Sequence, residues 1–402
     1  MSETDNRPRV LLGVSGGIAA YKACELASQL TQQGVSLRAV MTANAARFVG
    51  PLSLAALTGQ DVALDMFDPA REAAISHIEL ARWAQAVVLA PATANLIAKA
   101  AGGLADDLLS TILLAAAAPL LVAPAMNPQM FAHPAVAENL ARLKARGARV
   151  VGPAAGRTAC GEEGPGRMAE PAEIIEAVWG LISPQDLAGV RVLVTAGPTR
   201  EHLDPVRFLS NPSSGRMGIE VARVALRRGA MVTLVLGPTL LAPPVGARLI
   251  RVTSAQEMYE AVTAAARDAQ VVVKAAAVSD FKPTEVHSHK VKKSSGQGQS
   301  CELMPTPDIL AALGRDKGSR ILVGFAAETH DLMTNAAAKL KAKNLDLIVA
   351  NDVSAPDAGF VAPTNRVAIL DPGGAAEELP LMSKTEVAGR LLDRVARLLG
   401  RG

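Results

Sequence analysis

Two loops of small and hydroxyl-bearing residues, far apart in the chain, have the composition of anion-binding sites. The first, residues 15–17 (Ser-Gly-Gly), follows the apolar run 10–14, and the second occupies residues 195–215 after the apolar run 190–194. Each loop precedes a helical pattern, and backbone N–H groups at a helix N-terminus favour a bound anion. Neither loop reads G-x-G-x-x-G, so each alone is a weak signal. Two such strand–loop–helix openings together predict two α/β domains.

Three further side chains are candidates for acid–base or binding chemistry. His77 begins a predicted helix over 78–84, although a single histidine is more often structural than catalytic. Asn127 precedes a proline and is either a turn former or a ligand-binding amide. Cys160 lies in a glycine-rich segment without periodicity, which we predict to be a flexible flap that brings a thiol to a closed site.

Short apolar segments that alternate with helical patterns must position these residues in the first half. Strands are predicted at 10–14, 37–41, 86–90, 120–123 and 148–151, and helices include 18–33 and 135–146. This alternation predicts a parallel sheet with helices on both faces. Ligands bind beyond the carboxyl ends of such strands, which places the predicted site at loops 15–17, 41–42, 91–95 and 124–130.

The second half repeats the alternation. Strands are predicted at 190–194, 232–236, 249–252, 271–275, 321–325 and 347–350, and helices at 255–267, 308–315, 330–343 and 384–399. Residues 280–299 interrupt this pattern with a polar stretch that contains Lys290, Lys292 and Lys293. Such a charge run is usually a solvated loop, and the alternative is a segment that orders over a polyphosphate.

Length and composition limit the possible classes of protein. The chain has 402 residues, and this length is too great for one ordinary core. Half of the residues are hydrophobic, which is enough for a large buried core. We divide it into domains at 1–183 and 190–402 with a linker at 184–189. The net charge of +3 and an aromatic content of 3% argue against a nucleic-acid partner.

Membrane and secreted classes are also disfavoured. The first ten residues are polar and do not read as a signal peptide. The uncharged stretch 108–126 is interrupted by Pro119 and Pro124, so we predict a buried helix and a strand there, not a membrane span. Cys24, Cys160 and Cys301 are widely spaced and odd in number, which argues against a disulfide framework and favours the cytoplasm.

Six motifs of the first half resemble the flavin-dependent cysteine decarboxylases in order and spacing: SGGIAAYK, ISHIELARWA, APATANLIAK, GLADDLLST, PAMNPQM and GRTACGEEGPGRM. They are similar to the decarboxylase half of the bacterial phosphopantothenoylcysteine decarboxylase/phosphopantothenate–cysteine ligases of coenzyme A biosynthesis. The resemblance implies a flavodoxin-like domain with an FMN site that a neighbouring subunit completes. The FMN-binding residues that it implies are Ser15, Gly16, Gly17, Thr42, Pro91, Ala92, Thr93 and Asn95.

The same resemblance implies catalytic roles for the three candidate side chains. His77 matches the family's acid–base histidine, Cys160 its proton donor, and Asn127, with Met130, its substrate-binding residues. A carboxylate leaves as CO₂ only if the remaining electrons can be delocalised, and the substrate offers no adjacent group for this. In the family, FMN oxidises the substrate thiol to a thioaldehyde before CO₂ leaves. The resulting ene-thiol is then reduced, so no net redox change results.

The second half resembles the ligase half of the same enzymes through VTAGPTREHLDPVRFLSNPSSGRMG, AAAVSDF, HKVKK, TPDIL, VGFAAET and KNLDLIVAND. The resemblance implies a Rossmann-like domain that uses CTP and Mg²⁺, with Asn211 and Lys290 catalytic. The residues that it implies around CTP are Ala275, Ala276, Ala277, Asp280, Lys290, Pro307, Asp308, Ile309, Leu310, Phe325, Lys339 and Lys343. Those around the substrate are Arg207, Asn211, Ser213, Ser214 and Gly215. Pro212 and Arg216 depart from the usual motif but leave Asn211 and Gly215 intact.

The resemblance therefore implies two consecutive reactions. CTP activates 4′-phosphopantothenate as an acyl-cytidylate, L-cysteine displaces CMP, and the product is decarboxylated to 4′-phosphopantetheine. It also implies homo-oligomers, with trimers of the first domain, dimers of the second and assemblies up to a dodecamer. The expected partners are these small molecules, without nucleic acid or membrane.

Two other function classes make different demands on the sequence. A flavin-binding carrier or sensor would need the first set of loops but not His77, Cys160 or a second nucleotide domain. A dehydrogenase would need an acidic residue after the second strand of its Rossmann domain, where this chain has Gly237-Pro238-Thr239. The interpretation as a decarboxylase and ligase accounts for more of the chain than either of these classes.

Overall fold

The chain divides into two units, Met1–Ser183 and Pro184–Gly402, and each has a parallel sheet of its own. The computed structural model describes residues 7–66, 77–292, 300–328, 331–352 and 362–401. Both sheets confirm the predicted α/β class.

The first unit has a five-stranded parallel sheet in the order β2-β1-β3-β4-β5. Its strands are β1 Arg9–Val14, β2 Ser36–Met41, β3 Ala86–Ala92, β4 Leu120–Pro124 and β5 Arg149–Val150, with a separate hairpin of β6 Ala154–Arg157 and β7 Glu163–Arg167. Its helices are α1 Tyr21–Gln32, α2 Pro51–Thr58, α3 His77–Trp83, α4 Ala94–Gly102, α5 Leu108–Ala115, α6 Pro128–Ala132, α7 Pro134–Ala145 and α8 Pro171–Ile182. This strand order is that of flavodoxin-like sheets.

Alternation along β1 explains why this sheet is covered on both faces. Val10, Leu12 and Val14 pack into one apolar cluster with α1 and α8, whereas Leu11 faces a second cluster with α4 and α5. Successive side chains of a strand point to opposite faces, so an almost wholly apolar strand is buried on both.

The second unit has an eight-stranded sheet in the order β12-β11-β8-β13-β16-β17-β19-β20. Its strands are β8 Arg191–Ala196, β9 Arg200–His202, β10 Phe208–Ser210, β11 Met231–Leu236, β12 Arg248–Arg251, β13 Val271–Lys274, β14 Phe281–Pro283, β15 Leu303–Pro305, β16 Ile321–Glu328, β17 Leu347–Asp352, β18 Thr364–Asn365, β19 Val367–Leu370, β20 Ala376–Glu378 and β21 Met382–Ser383. Its helices are α9 Arg216–Arg227, α10 Ala255–Ala265, α11 Ile309–Arg315, α12 Leu332–Ala342 and α13 Lys384–Leu398.

Six parallel strands of this sheet follow the Rossmann order 3-2-1-4-5-6. The strands β19 and β20 extend the sheet beyond β17 in the antiparallel sense. Val192 and Val194 face the apolar cluster with α9 and α13, and Leu193 faces the cluster with α10 and α11.

The structure contains two elements that the sequence prediction lacks. The glycine-rich segment around Cys160 contains the antiparallel hairpin β6–β7. Within 280–299, residues Phe281–Pro283 form β14, which pairs with β15, and Lys293 lies outside the described residues.

The uncharged stretch 108–126 forms α5 and then β4, as predicted. Within the described ranges, no helix is both long and apolar enough to cross a membrane.

Candidate active sites

A cavity of about 1110 Å³ lies beyond the carboxyl ends of the strands of the first unit. It is lined by the loops that follow β1, β2, β3 and β4, and by the β6–β7 hairpin. The sequence-predicted residues that line it are Ser15, Gly16, Gly17, Thr42, Thr93, Asn95, Asn127, Met130 and Cys160. One cavity thus brings together residues predicted for flavin binding, for substrate binding and for proton donation.

Ser15 joins two of these loops. Its Oγ donates to the Pro91 carbonyl at 2.7 Å and accepts from the Thr93 N–H at 3.0 Å, and the side chain is buried. A hydroxyl that both donates and accepts fixes the loop after β1 against the loop after β3. Ser15 therefore has a structural role at the cavity wall.

Glycine at position 16 is required by the close approach of the loop after β2. A Cβ atom at Gly16 would lie 2.4 Å from Cβ of Asn44. In that loop the Thr42 N–H donates to the Val14 carbonyl at 3.0 Å, and Thr42 Oγ1 accepts from the Ala45 N–H. These contacts bring backbone and hydroxyl groups from β1 and β2 to one edge of the cavity.

Basic side chains at the cavity are partly engaged in ion pairs. Lys22 contacts Glu170 at 2.9 Å, and Lys99 contacts Asp106 at 2.6 Å and Asp107 at 2.8 Å. The hydrogen bonds to Asp106 and Asp107 raise the pKa of Lys99. Lys22 and Lys99 line the cavity together with Arg157 and Arg167. Two carboxylates neutralise Lys99, whereas Lys22 and Arg167 share the single carboxylate of Glu170. These two side chains and Arg157 therefore leave positive charge for an anionic ligand.

Asn127 and Cys160 form a polar cluster at the same cavity. The Asn127 Nδ2 donates to Cys160 Sγ at 3.4 Å and to Glu162 Oε2 at 2.9 Å. Thr158 Oγ1 lies 3.1 Å from the Cys160 sulfur. The hydrogen bonds with Thr158 and Asn127, and one with the backbone of Glu162, lower the pKa of the Cys160 thiol. Cys160 is exposed, so it is accessible to a ligand in the cavity.

Glycines let the β6–β7 hairpin lie directly against the loop after β4. The Met126 N–H donates to the Gly166 carbonyl at 2.9 Å. A Cβ atom at Gly166 would lie 2.4 Å from the Met126 carbonyl oxygen, and one at Gly164 would lie 3.0 Å from Cβ of Pro128. The small residues around Cys160 thus allow the backbone contact that brings its thiol to Asn127.

Three residues predicted for this site do not line the cavity within the described part of the first unit. Pro91 and Ala92 are buried at the end of β3, and His77 begins α3 in a partly exposed position. Pro91 nevertheless contributes its carbonyl to Ser15.

In the second unit, two buried threonines hold the AAAVS segment against the end of β8. Thr195 Oγ1 accepts from the Ala276 N–H at 3.1 Å, and Thr199 Oγ1 accepts from the Ser279 N–H at 3.0 Å. The Ala277 N–H donates to the Gly197 carbonyl at 3.0 Å. Loops after β8 and β13 are thereby joined at the carboxyl edge where Rossmann-like sheets bind ligands.

Asn211 connects a third loop to this edge. Its Nδ2 donates to the carbonyls of Ala277 and Val278, both at 3.1 Å. Ser213 Oγ accepts from the Gly215 N–H at 3.2 Å and Ser214 Oγ from the Arg216 N–H at 3.5 Å. These two serines bind backbone N–H groups at the N-cap Gly215 and at the first residue of α9.

The glycine at position 215 is required by conformation. Gly215 has φ 78°, in the left-handed region, and a Cβ atom there would lie 2.9 Å from the Gly197 nitrogen. The predicted helix start at Gly215 is confirmed.

Charged residues of both signs meet at the ends of β13 and α12. Lys343 Nζ contacts Asp308 Oδ2 at 3.0 Å, and Asp308 also accepts from the Ala311 N–H and so caps α11. Lys274, the last residue of β13, lies within electrostatic range of Lys343, Lys339, Asp308 and Asp280. Burial and then the Lys343 charge lower the pKa of Lys274 to about 8.

The other residues predicted around CTP fall into two groups. Ile309, Leu310 and Ala276 have buried side chains within the apolar cluster of α10 and α11, so only their backbone can contact a ligand. Asp280 and Lys339 are exposed; Ala275, Ala277, Pro307 and Phe325 are partly buried.

Lys290 is exposed and has neither a hydrogen bond nor an ion pair with any described residue. Arg207, predicted to bind substrate, donates through Nε to Asp204 Oδ2 at 2.9 Å and through Nη2 to the Val291 carbonyl at 2.7 Å. Arg207 thus links its own loop to the segment that contains Lys290.

Sequence reasoning missed four residues that the structure places at these sites. Thr158 and Glu162 contact the Asn127–Cys160 cluster, Lys274 joins the charged group, and Asp204 binds Arg207. A lysine that ends the otherwise apolar strand VVVK and a carboxylate in LDPVR are signals that the sequence offers for the last two.

Among the residues that the structure describes, no group of three or more His, Cys, Asp or Glu side chains is placed to hold a metal ion. Cys24, Cys160 and Cys301 are free. Cys24 packs partly buried against the core of the first unit, and burial raises the pKa of its thiol.

Two family models each match one half of the chain. The Flavoprotein family matches residues 1–183, and the family described as DNA/pantothenate metabolism flavoprotein C-terminal domain matches residues 187–399. A solved structure of the C-terminal domain of a coenzyme A biosynthesis bifunctional protein CoaBC is 43% identical, covers 54% of this chain and 100% of its own, and has a TM-score of 0.47.

Curated relatives match over nearly the whole length. The coenzyme A biosynthesis bifunctional protein CoaBC of Bacillus subtilis is 49% identical over 98% of both chains. That of Escherichia coli K12 is 46% identical over 96% of both chains. Full-length similarity at this level, with both family domains in order, shows that the chain belongs to the family of coenzyme A biosynthesis bifunctional proteins.

Proposed function

We propose that residues 1–183 form an FMN-dependent phosphopantothenoylcysteine decarboxylase, residues 190–402 a CTP-dependent phosphopantothenate–cysteine ligase, and residues 184–189 their linker. The chain is a bifunctional enzyme of coenzyme A biosynthesis with a decarboxylase and a ligase activity. The observation that best supports the assignment is the Asn127–Cys160 cluster, because it sets a carboxylate-binding amide beside an acidic thiol in one large cavity.

The residues of the first unit fit FMN. The cavity is large for a small-molecule site, and its walls offer a glycine loop, hydroxyls of Thr42 and Thr93, and several basic side chains. Cations and loop N–H groups suit the phosphate of the flavin. When bound, FMN supplies the two-electron chemistry that makes loss of the carboxylate possible.

The chain's own residues then bind substrate and transfer protons. Asn127 Nδ2 is the group that would hold the substrate carboxylate, and Glu162 accepts this hydrogen bond in the present structure. Cys160, with its lowered pKa, donates the proton that completes reduction of the ene-thiol. Because His77 does not line this cavity in the described chain, we assign it to the equivalent cavity of a neighbouring copy, where it acts as the acid–base group.

In the second unit, the charged group around Lys274 and Lys343 supports binding of the CTP polyphosphate. Lys290 would face the reacting phosphate, with Asn211 at the activated carboxyl. Transfer of the carboxylate to the cytidylyl group provides a good leaving group, and Mg²⁺, when bound with the nucleotide, would neutralise charge on the pyrophosphate. The amine of L-cysteine then attacks the acyl-cytidylate and releases CMP.

We also propose how copies of the enzyme assemble and where in the cell the enzyme acts. Flavin sites shared between copies require homo-oligomers, with trimers of the first unit and dimers of the second, up to a dodecamer. The substrates are small molecules, and we place the enzyme in the cytoplasm without a nucleic-acid or membrane partner.

The test is a reaction with the purified full-length chain. We expect a yellow protein that sustains turnover of CTP to CMP and pyrophosphate only when CTP, 4′-phosphopantothenate and L-cysteine are all present, and that forms CO₂ and 4′-phosphopantetheine in equal amounts. A colourless preparation that keeps its fold, or pyrophosphate release without 4′-phosphopantothenate, would contradict the proposal.

A further inference from the structure

Asp204 is a fully buried carboxylate in the turn between β9 and β10. Its two oxygens have different partners. Oδ1 accepts from the N–H groups of Val206 and Arg207, both at 2.8 Å, and so closes the turn. Oδ2 accepts from Arg207 Nε at 2.9 Å, from Arg207 Nη2, and from the Val291 N–H at 3.2 Å. These hydrogen bonds, that of the Arg207 side chain first, lower the pKa of Asp204 strongly.

The contacts of Oδ2 extend to the segment that contains Lys290. Arg207 Nη2 also donates to the Val291 carbonyl at 2.7 Å, so both backbone groups of Val291 are bound. Four residues earlier, the His287 N–H donates to the Leu203 carbonyl at 3.0 Å. Lys290 therefore lies between two attachment points on the same turn, while its own side chain remains exposed.

The other end of the β9–β10 hairpin leads to Asn211. β10 ends at Ser210, whose Oγ donates to the Thr199 carbonyl at 2.7 Å, and Asn211 follows with its amide bound to Ala277 and Val278. One short hairpin thus has Asn211 at its base and the attachment of the Lys290 segment at its turn. Its length sets the separation between the two residues assigned to the ligase reaction.

We propose that Asp204 and Arg207 are positioning residues of the ligase, which hold the Lys290 segment in register with Asn211. This inference rests on the proposed role of Lys290. Neither residue needs to touch the nucleotide for this role. A misplacement of about 1 Å in a reacting group can cost about a hundredfold in rate, so loss of the attachment is expected to be visible in ligation.

The substitution Asp204→Asn separates the two functions of the carboxylate. An amide whose oxygen takes the place of Oδ1 still closes the turn, but its NH₂ group cannot accept from Arg207 or Val291. Asp371→Asn is a matched control, because Asp371 Oδ1 closes a turn through Gly373 and Ala375, and its Oδ2 accepts from Arg394 at 2.7 Å. Both variants remove one negative charge beside an arginine.

Hydrogen exchange of the full-length chain reports the attachment directly. In Asp204→Asn, the peptide that contains His287 and Val291 should exchange faster than in the unaltered chain, and in Asp371→Asn at an unchanged rate. Ligation by Asp204→Asn should fall by about tenfold to a hundredfold, with unchanged exchange of the peptides that contain β8 and β13 as proof that the second unit is folded. Unchanged exchange and ligation in Asp204→Asn would overturn the proposal.

A double-mutant cycle shows whether Asp204 acts through Lys290. If it does, Asp204→Asn should cause no further loss of ligation in a Lys290→Gln background, because the group that it positions is already absent. A further loss equal to that seen alone would show a general structural role and refute the inference. If Lys290→Gln itself leaves ligation unchanged, the proposed role of Lys290 fails, and hydrogen exchange still decides whether the attachment exists.

Discussion

The side-chain amide of Asn127 donates to the sulfur of Cys160 at 3.4 Å and thereby joins the loop after β4 to the β6–β7 hairpin. The same amide nitrogen donates to Glu162, so a substrate carboxylate that displaced Glu162 would lie beside the thiol. In the proposed mechanism, this geometry would couple binding of the carboxylate to delivery of the proton.

The acidity of Cys160 depends first on Thr158. Thr158→Val keeps the shape of the side chain but removes the hydroxyl beside the sulfur, so the pKa of Cys160 should rise toward its ordinary value. The thiolate fraction at neutral pH then falls, and alkylation of Cys160 needs a higher pH. The pH profile of iodoacetamide labelling, read on the Cys160 peptide with exposed Cys301 as internal reference, measures this shift. An unchanged pH profile of labelling would contradict the claim that Thr158 lowers the pKa of Cys160.

Loss of the Cys160 thiol should stop the reaction after CO₂ release and before reduction of the ene-thiol. In Cys160→Ala, oxidation and loss of CO₂ remain possible, but the ene-thiol lacks its proton donor. We expect one release of CO₂ per site and a product lighter than 4′-phosphopantetheine by two hydrogen atoms, as measured by mass spectrometry. Cys301→Ala is the control. Normal 4′-phosphopantetheine at the usual rate from Cys160→Ala would contradict the donor role.

Most of the sheet of the first unit was predictable because burial on both faces imposes a simple pattern. The apolar runs at 10–14 and 86–90 correspond to β1 and β3, which extend from them by one and two residues. The strand predicted at 148–151 is shorter in the structure, where β5 has only two residues. The helix predicted to begin at residue 18 begins there as a 3₁₀ turn, which α1 then follows.

The β6–β7 hairpin was not predictable from periodicity. Gly156, Gly164 and Gly166 show no apolar alternation, because their place is set by contact with the loop after β4 and not by burial of side chains. The contacts of Asp204 could not be predicted from the sequence for a related reason. They join residues 204 and 291, which are distant in sequence, through polar contacts that have no local pattern.

Lys274 should make CTP binding depend on pH. Its pKa of about 8 means that the lysine loses its proton as pH rises from 7 to 9, so its attraction for a polyphosphate is lost over this range. If only the charged form binds, affinity should fall by up to about tenfold between these pH values. Lys274→Met should bind more weakly at pH 7 and lose this dependence, with Lys341→Met as the control. Calorimetry in two buffers with different ionisation enthalpies measures the proton uptake that accompanies CTP binding. If CTP binding to Lys274→Met keeps the original pH dependence, Lys274 is not its source.

The same pKa has a consequence for folding. In the unfolded chain Lys274 keeps its proton up to about pH 10.5, whereas in the folded chain it loses it from about pH 8. The unfolded state therefore binds more protons between these values, so this residue's contribution to the free energy of unfolding rises with pH in that window.

The first unit should fold and bind flavin without the second. Its sheet has apolar clusters on both faces that are built from residues of the first unit alone. A fragment of residues 1–183 should therefore purify as a yellow protein that decarboxylates supplied phosphopantothenoylcysteine, measured by CO₂ release. A folded fragment without flavin would show that the division at 183 is wrong.

We expect the two reactions to use separate sites in one chain, and His77→Asn and Lys290→Gln test this together. Each full-length variant is assayed for CO₂ release from supplied phosphopantothenoylcysteine and for CMP release from CTP, 4′-phosphopantothenate and L-cysteine. His77→Asn should lose decarboxylation by about 10²–10⁴-fold and keep ligation, whereas Lys290→Gln should lose ligation by about 10²–10³-fold and keep decarboxylation. A mixture of the two variants should restore the complete conversion. If either folded, flavin-loaded variant loses both reactions together, the account of two separate sites is contradicted.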